Sequence, residues 1–368
     1  MVEKWQLKGP SPDTIYLDLG FTDAYTDYQV VETDSSSLLI GINPKDFALD
    51  ILDLKRKSSS KKIIFQHEGP DGILGNIDGF YYHNSDSIFI LSIDSNTVYL
   101  MNENSELQKK IQFNNNTLPD GFNNYDVYAN QGMQNGPFYL PARKSLELYT
   151  YRWLPPNEDD FSYTAFASYS LKEQRFTHQY GKYPSNYGLN TNYLLYNDPS
   201  LTIVDSLAFV QLGANPSIAC YSTNSGELLY HGKLTCEHWD KEPSPLKSLT
   251  NEFQIEQDWL VENPAYIYLL ADRKNKLLFR LLKHKQPLLN NQGVRNPRWY
   301  GTWCVTIYDY DLNIVGHHEL KANTYLPLIS FIANGQLWIK NPSADFKENE
   351  SLFYKFKIEE ITLNKHIP

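Results

Sequence analysis

Short apolar runs alternate with clusters of Asn, Asp, Ser and Gly along the whole chain, and the alternation is organised. A unit consists of an apolar strand, a polar break and a second strand. The first strand appears at Ala48–Leu54, Thr97–Asn102, Ala165–Leu171, Ser217–Ser222, Cys304–Asp309 and Leu352–Lys357. The second follows at Lys62–Phe65, Lys110–Phe113, Arg175–His178, Leu228–Tyr230, Ile314–His317 and Glu360–Leu363. Apolar positions on both sides of a polar turn predict β-hairpins. A further run precedes most copies, at Ser37–Ile40, Ser87–Ile90, Ser206–Phe209, Lys276–Phe279 and Gln336–Ile339. Three or four strands per unit, in six copies, predict an all-β chain folded as one six-bladed β-propeller domain over residues 1–368.

Irregular spacing marks insertions at about 123–161, 235–261 and 287–300. Within the second, Ser244–Trp259 has helical spacing and a Ser-Pro start, which predicts a short helix between blades 4 and 5. The N-terminal run Asp13–Leu19 is suited to complete the last blade as an outer strand. In the stretch Phe65–Asn76, Pro70-Asp71-Gly72 returns as Pro119-Asp120-Gly121, each time after the outer strand of one unit. Proline fixes φ at the second turn position and glycine is expected to supply a positive φ, so both read as interblade corners at the mouth of a central channel.

Three segments resemble the TolB-like six-bladed β-propeller family of Bacteroidota cell-envelope lipoproteins, a domain of unknown function. They are Glu68–Gly72 with the aromatic strand Asp78–Phe89, the hairpin Tyr266–Arg280, and Ile307–Gly316 through Tyr325. Leu278-Phe279 stands where that family usually has two tyrosines. The resemblance implies a periplasmic or outer-membrane-associated lipoprotein whose leader is absent from this chain, with a lipid anchor on the precursor, rather than a cytoplasmic protein. It implies no activity, since fold alone defines none.

Composition sharpens the picture where it excludes partners. The chain has 14% aromatic residues, with 27 tyrosines against three methionines, which favours short strands over long helices. Its net charge of −10 and scattered basic residues argue against nucleic acid, which needs clustered Lys and Arg. No apolar run is long enough to span a membrane as a helix. Cys220, Cys236 and Cys304 form no paired spacing, so no disulfide framework is expected.

No catalytic motif stands out, and no cofactor is implied. His231, Cys236 and His238 lie close together but match no standard zinc spacing, so no metal is assigned. Glu68, Asp71 and Asp120, on neighbouring corners, have the chemistry of a glycosidase acid pair, or simply of turn residues. Arg143 and Arg298, in the insertions, suit carboxylate or phosphate binding. Tyr187, Trp239, Trp299 and Tyr325 fall in predicted loops, where exposed rings can stack on sugars or anchor a protein. Together these residues form the expected ligand site of a non-enzymatic module holding a protein or glycan ligand. Alternatives are a polysaccharide hydrolase or lyase, and a structural subunit of an envelope assembly.

Overall fold

The structure is a computed structural model, described for residues 4–18, 20–22, 25, 27–33, 35–113, 126–129, 136–151, 164–185, 187, 192–233, 239, 242–246, 253–342 and 350–361. It is all-β apart from one α-helix and a short 3-10 turn among those residues. The N-terminal strand β1 (Trp5–Tyr16) is followed by β2 (Tyr28–Glu32), β3 (Ser37–Asn43), β4 (Ala48–Asp53) and β5 (Ser58–Ile64), which pair in sequence order. A second sheet holds β6 (Gly79–Asn84), β7 (Ser87–Ser92), β8 (Thr97–Met101) and β9 (Leu107–Gln112). In the third, β10 (Asp126–Tyr128) and β11 (Phe138–Leu140) both pair with β12 (Ser145–Tyr151), which leads to β13 (Thr164–Ser170) and β14 (Arg175–Lys182).

The fourth sheet is β15 (Pro199–Val204), β16 (Leu207–Leu212), β17 (Ser217–Ser222) and β18 (Leu228–Lys233). Helix α1 (Phe253–Glu262) separates it from the fifth, β19 (Ala265–Asp272), β20 (Leu277–Lys283), β21 (Trp303–Asp309) and β22 (Ile314–Leu320). Last come β23 (Leu326–Ala333), β24 (Gln336–Lys340) and β25 (Glu350–Glu360), and β1 completes this set by pairing antiparallel with β25 along its whole length. One parallel pair, Tyr16 with Ser58, then joins β1 to β5 and makes the first and last sets a single eight-stranded sheet.

A local device repeats with the strands. The last two strands of the first five sets are joined by a turn that carries one residue at positive φ, respectively Lys57, Ser105, Gln174, Gly226 and Leu312. Each of these pairings also slips register at the turn end, between Ile51 and Leu52, Leu100 and Met101, Ser168 and Tyr169, Cys220 and Tyr221, and Ile307 and Tyr308. A left-handed residue followed by a bulge is the usual solution for a hairpin loop slightly longer than two residues.

Consecutive sheets bury their faces against each other. Ile40, Ile51, Phe80 and Ile90 pack between the first and second sheets, and Leu91, Leu148 and Ala167 between the second and third. Phe209, Cys220, Leu269 and Leu278 join the fourth to the fifth, while Leu39, Leu52, Phe331 and Trp338 join the last set back to the first. The largest cluster, with Phe166, Leu201, Ile307 and Phe356, spans the third through last sets.

Two cations are buried in the fifth sheet. Arg280 is fully buried, with its guanidinium 3.3 Å from the centroid of the Tyr266 ring. It donates to Gln211 Oε1 (2.9 Å), Pro216 O (2.6 Å) and Asn215 O (2.9 Å). Lys283 donates to Asn263 O (2.9 Å) and His284 O (3.1 Å), with Val261 O at 3.4 Å, so it holds carbonyls at and beyond the end of α1.

Three local expectations change. The helix of the second insertion starts at Phe253, not at Ser244-Pro245, which has no regular structure. Glu360 ends β25 instead of opening another hairpin strand, because β1 already occupies that edge. In the Pro70-Asp71-Gly72 corner the positive φ belongs to Gly69 and Gly75. Gly72 is required for a different reason: a Cβ there would lie 2.8 Å from the Glu68 carbonyl carbon.

Candidate functional site

The first strands of the sets come together. β2 touches both β6 and β23, β11 touches β6, and β19 touches both β15 and β23. At their meeting lies a cavity of about 210 Å³, lined by Phe80, Phe138, Leu201, Ile203, Leu269 and Ala271 among others, with Asp27 and Arg273 as its charged groups. Gly136 permits the close approach of the β11 lead-in, since a Cβ there would sit 3.3 Å from Asp27 Oδ2.

Most other polar groups of the lining are consumed by the fold. Gln29 brackets the Tyr82 backbone, donating from Nε2 to its carbonyl (3.1 Å) and accepting its N–H at Oε1 (2.7 Å). Tyr28 donates its hydroxyl proton to Ser330 O and accepts Ser330 N–H, both at 2.9 Å. Thr202 donates to Leu269 O, and Tyr268, beside the cavity, donates to Leu328 O (2.7 Å). These bonds tie neighbouring first strands together and leave Asp27, Arg273 and the Tyr81 hydroxyl as the groups with capacity for a ligand.

Asp27 accepts the backbone N–H of Tyr28 at Oδ1 (2.9 Å) and a second backbone N–H from Phe80. Its carboxyl is surrounded by protein yet opens partly into the cavity. Burial pushes it up to about 7, against the two backbone donors that favour the ionised form. Among the described residues no basic side chain is in contact with it. Arg273 is exposed at the turn after β19, with Nη2 3.2 Å from Ile203 O. Burial also raises the Tyr81 phenol, an effect that the Arg273 charge opposes.

None of the described residues singled out from sequence lines this cavity. Glu68 is exposed, and Asp71 accepts Leu107 N–H at 2.9 Å, which ties the corner to the start of β9. Asp120, like Cys236 and His238, lies outside the described residues. Arg143 faces the buried Glu147 at 3.8 Å; that carboxylate also accepts from Ser145 (3.1 Å) and Ser168 (2.8 Å). Arg298 and Trp299 are brought together, with the guanidinium 4.6 Å from the ring centroid, and Arg298 reaches Gln257 Oε1 at 3.4 Å.

The exposure expected for the other three aromatics is corrected. Tyr187 is 2% exposed, its hydroxyl donating to Tyr196 O (3.1 Å) and accepting Ala214 N–H (3.0 Å). Trp239 is 7% exposed and stacks on Tyr266, with centroids 4.6 Å apart. Tyr325, also 7% exposed, packs edge-on against Tyr354. Loop rings here fold back to cover apolar surface; the Tyr187 hydroxyl is bonded on both sides, while Trp239 Nε1 is buried with no hydrogen-bond partner among the described residues. Sequence reasoning missed Asp27, Tyr28, Tyr81 and Arg273; the available signal was a lone acid directly before the apolar run of an innermost strand.

The sequence profile of DUF4221, described as a domain of unknown function, matches residues 11–319. The chain belongs to the DUF4221 family. A DUF4221 member from Bacteroides vulgatus ATCC 8482, known from a crystal structure, superposes with a TM-score of 0.76 at 17% identity, covering 98% of this chain and 100% of that one. A candidate exported protein from Bacteroides fragilis NCTC 9343 gives a TM-score of 0.55 at 10% identity, covering 96% and 95%. At these identities the likeness is one of fold. No curated protein matches the DUF4221 chain significantly. Among its described residues no helix is long and apolar enough to cross a membrane.

Proposed function

We propose that this DUF4221 protein is a non-enzymatic, ligand-binding six-bladed β-propeller of the bacterial cell envelope, and that its ligand enters the axial cavity. The six sets of strands, packed face to face with the last joined to the first, support the propeller reading. The β1–β25 pairing serves as its closure, since an outer strand from one terminus added to inner strands from the other leaves no free seam. The resemblance to envelope lipoproteins, together with the exported candidate of the same fold, supports the location and a lipid anchor on the precursor.

The cavity carries the functional reading. It is concave and mostly apolar, its walls are held by satisfied polar groups, and it presents a small number of unspent charges, which is the usual composition of a small-molecule site. A polysaccharide-cleaving site at Glu68 and Asp71 has less behind it, because Asp71 is engaged by the backbone of Leu107.

The test is a thermal-shift screen of the full chain against a fragment and oligosaccharide panel, repeated on Ala271→Phe, which narrows the cavity from a small, partly accessible lining position. A ligand at a hundred times its Kd adds about 2.7 kcal/mol to wild type. The variant should lose most of that gain while melting within a few degrees of wild type alone. A ligand that stabilises both chains equally binds elsewhere and removes the cavity from the proposal.

A further inference from the structure

We infer that the cavity recognises a small apolar molecule bearing one primary ammonium group, for which Asp27 is the counter-ion. The inference rests on reading the cavity as the ligand site. Its basis is the contrast between Asp27 and the buried carboxylates that the chain itself pairs or fills. Asp13 sits between Lys57 (2.6 Å) and Lys355 (2.7 Å). Asp50 faces Lys62 at 3.5 Å, and Glu147 faces Arg143 at 3.8 Å. Each of these three has a cation supplied by the chain, and the buried Asp272 is filled by the N–H donors of its own turn, Lys274 N (3.0 Å), Asn275 N (3.2 Å) and Asn275 Nδ2 (2.7 Å). Asp27 has two backbone N–H groups and, on its remaining side, the cavity.

An ionised carboxylate in such surroundings is costly unless a cation joins it. A ligand ammonium supplies that cation, and the same Coulomb attraction compensates the ligand for leaving water. The other walls fix the rest of the molecule. Phe80, Phe138, Leu201, Ile203 and Leu269 offer no hydrogen bonds from their side chains, so the body is a hydrocarbon, aliphatic or aromatic. The volume of about 210 Å³ is below the ~300–1,000 Å³ of pockets for drug-sized ligands. At ~30 Å³ per water it corresponds to roughly seven heavy atoms. The positive charge of Arg273 on the same lining disfavours a second ammonium, which sets polyamines apart.

Pairing needs the ionised form of Asp27, so affinity should fall on acidification. The titratable and charged groups that share the cavity lining with the carboxyl are the phenols of Tyr28 and Tyr81 and the guanidinium of Arg273, and the Tyr268 phenol lies close enough to feel its charge. Burial moves Tyr81 and Tyr268 upward, away from the acid range. With Asp27 at about 7, its ionised fraction drops about thirtyfold between pH 8 and pH 5.5.

Calorimetric titration of the full chain with 3-methylbutylamine, leucine and the neutral 3-methylbutan-1-ol, at pH 8 and pH 5.5, tests this. The amine should bind at pH 8, more weakly by a factor approaching thirty at pH 5.5, and at least tenfold more weakly to Asp27→Asn; the alcohol should not compete. Tighter binding of leucine than of the amine supports the inference and identifies the source as an amino acid whose carboxylate Arg273 takes. Equal binding of amine and alcohol, or undiminished amine binding by a folded Asp27→Asn, overturns the ammonium assignment while leaving the cavity as a ligand site. No amine binding to wild type also overturns it, and the cavity reading is then decided by the Ala271→Phe comparison alone. The pH series on wild type keeps the test decisive should Asp27→Asn not fold.

Discussion

Arg280 and Asp27 are charges inside the same fold, held in opposite ways. The arginine lies between the fourth and fifth sheets with three acceptors within 2.9 Å and a ring pressed against its face, and it has no room for anything else. Asp27 has backbone donors on one side and open volume on the other. A buried charge whose bonding directions are all filled by the protein fastens the structure. One left partly unfilled at a cavity costs stability, and such a cost persists at sites that bind.

If that contrast is right, removing Arg280 should give the largest loss. Arg280→Met orphans Gln211 Oε1 and the carbonyls of Pro216 and Asn215 and should lower stability by about 3–5 kcal/mol, read from urea unfolding. A loss below about 1 kcal/mol would show that water or a rearranged loop replaces the guanidinium, and the site would no longer count as filled.

Asp27 should behave in the opposite sense. Its carboxyl holds a proton up to about 7 in the folded chain, against an ordinary value of 3.8. Between those values the native state binds the extra proton, so its contribution falls as pH rises and the loss is complete above pH 7. The slope is at most ~1.4 kcal/mol per unit. Asp27→Asn should flatten the curve of unfolding free energy between pH 5 and pH 7 and leave the variant more stable than wild type at pH 8, by up to a few kcal/mol. A slope that the substitution leaves intact would place the titrating group elsewhere.

Lys283 lies between these extremes. Burial, with the nearby Arg298 charge, pushes its ammonium down to about 7, while the carbonyls of Asn263 and His284 favour the charged form. A folded-state value below the ordinary one makes stability rise with pH from about 7 toward 10, because only the unfolded chain then holds the proton. Lys283→Met should remove that rise and cost about 1–3 kcal/mol near neutrality by orphaning the carbonyls. Hydrogen exchange should show the effect concentrated at the end of α1.

The sequence exposes the fold more readily than the site for a physical reason. Third strands such as Ala48–Asp53 and Ser217–Ser222 alternate or run apolar because sheets pack against both faces, and each is followed by a polar turn that must take a left-handed residue. Those constraints are local and recur. The β1–β25 pairing joins the two ends of the chain, and only the β character of Asp13–Leu19 hinted at it. The cavity is harder still to read. Asp27, Phe80, Leu201 and Leu269 come from four separate strand sets, and apart from the acid placed just before a strand at Asp27 the composition around them is that of ordinary strands. Loop aromatics misled because polar neighbours in sequence do not reveal whether a ring folds back: Trp239 reaches Tyr266 across a polar insertion.

The smallest effect separates the surface pair from both interior charges. Arg298 rests on Trp299 and reaches Gln257 at 3.4 Å, a half-buried arrangement with long bonds, so Arg298→Ala should cost less than about 1 kcal/mol. It should nevertheless have one distant consequence. The Arg298 charge is part of what lowers Lys283, so its removal should raise the lysine's proton affinity and move the pH-dependent rise in stability upward. A double-mutant cycle of Arg298→Ala with Lys283→Met, measured by urea unfolding at pH 7 and pH 9, reads that coupling directly. Coupling present at pH 7, where part of the lysine population is charged, and absent at pH 9 would tie the two groups electrostatically. Equal coupling at both pH values would mean that Arg298 acts on Lys283 through packing of the 287–300 segment, and its charge would then carry no weight in the comparison.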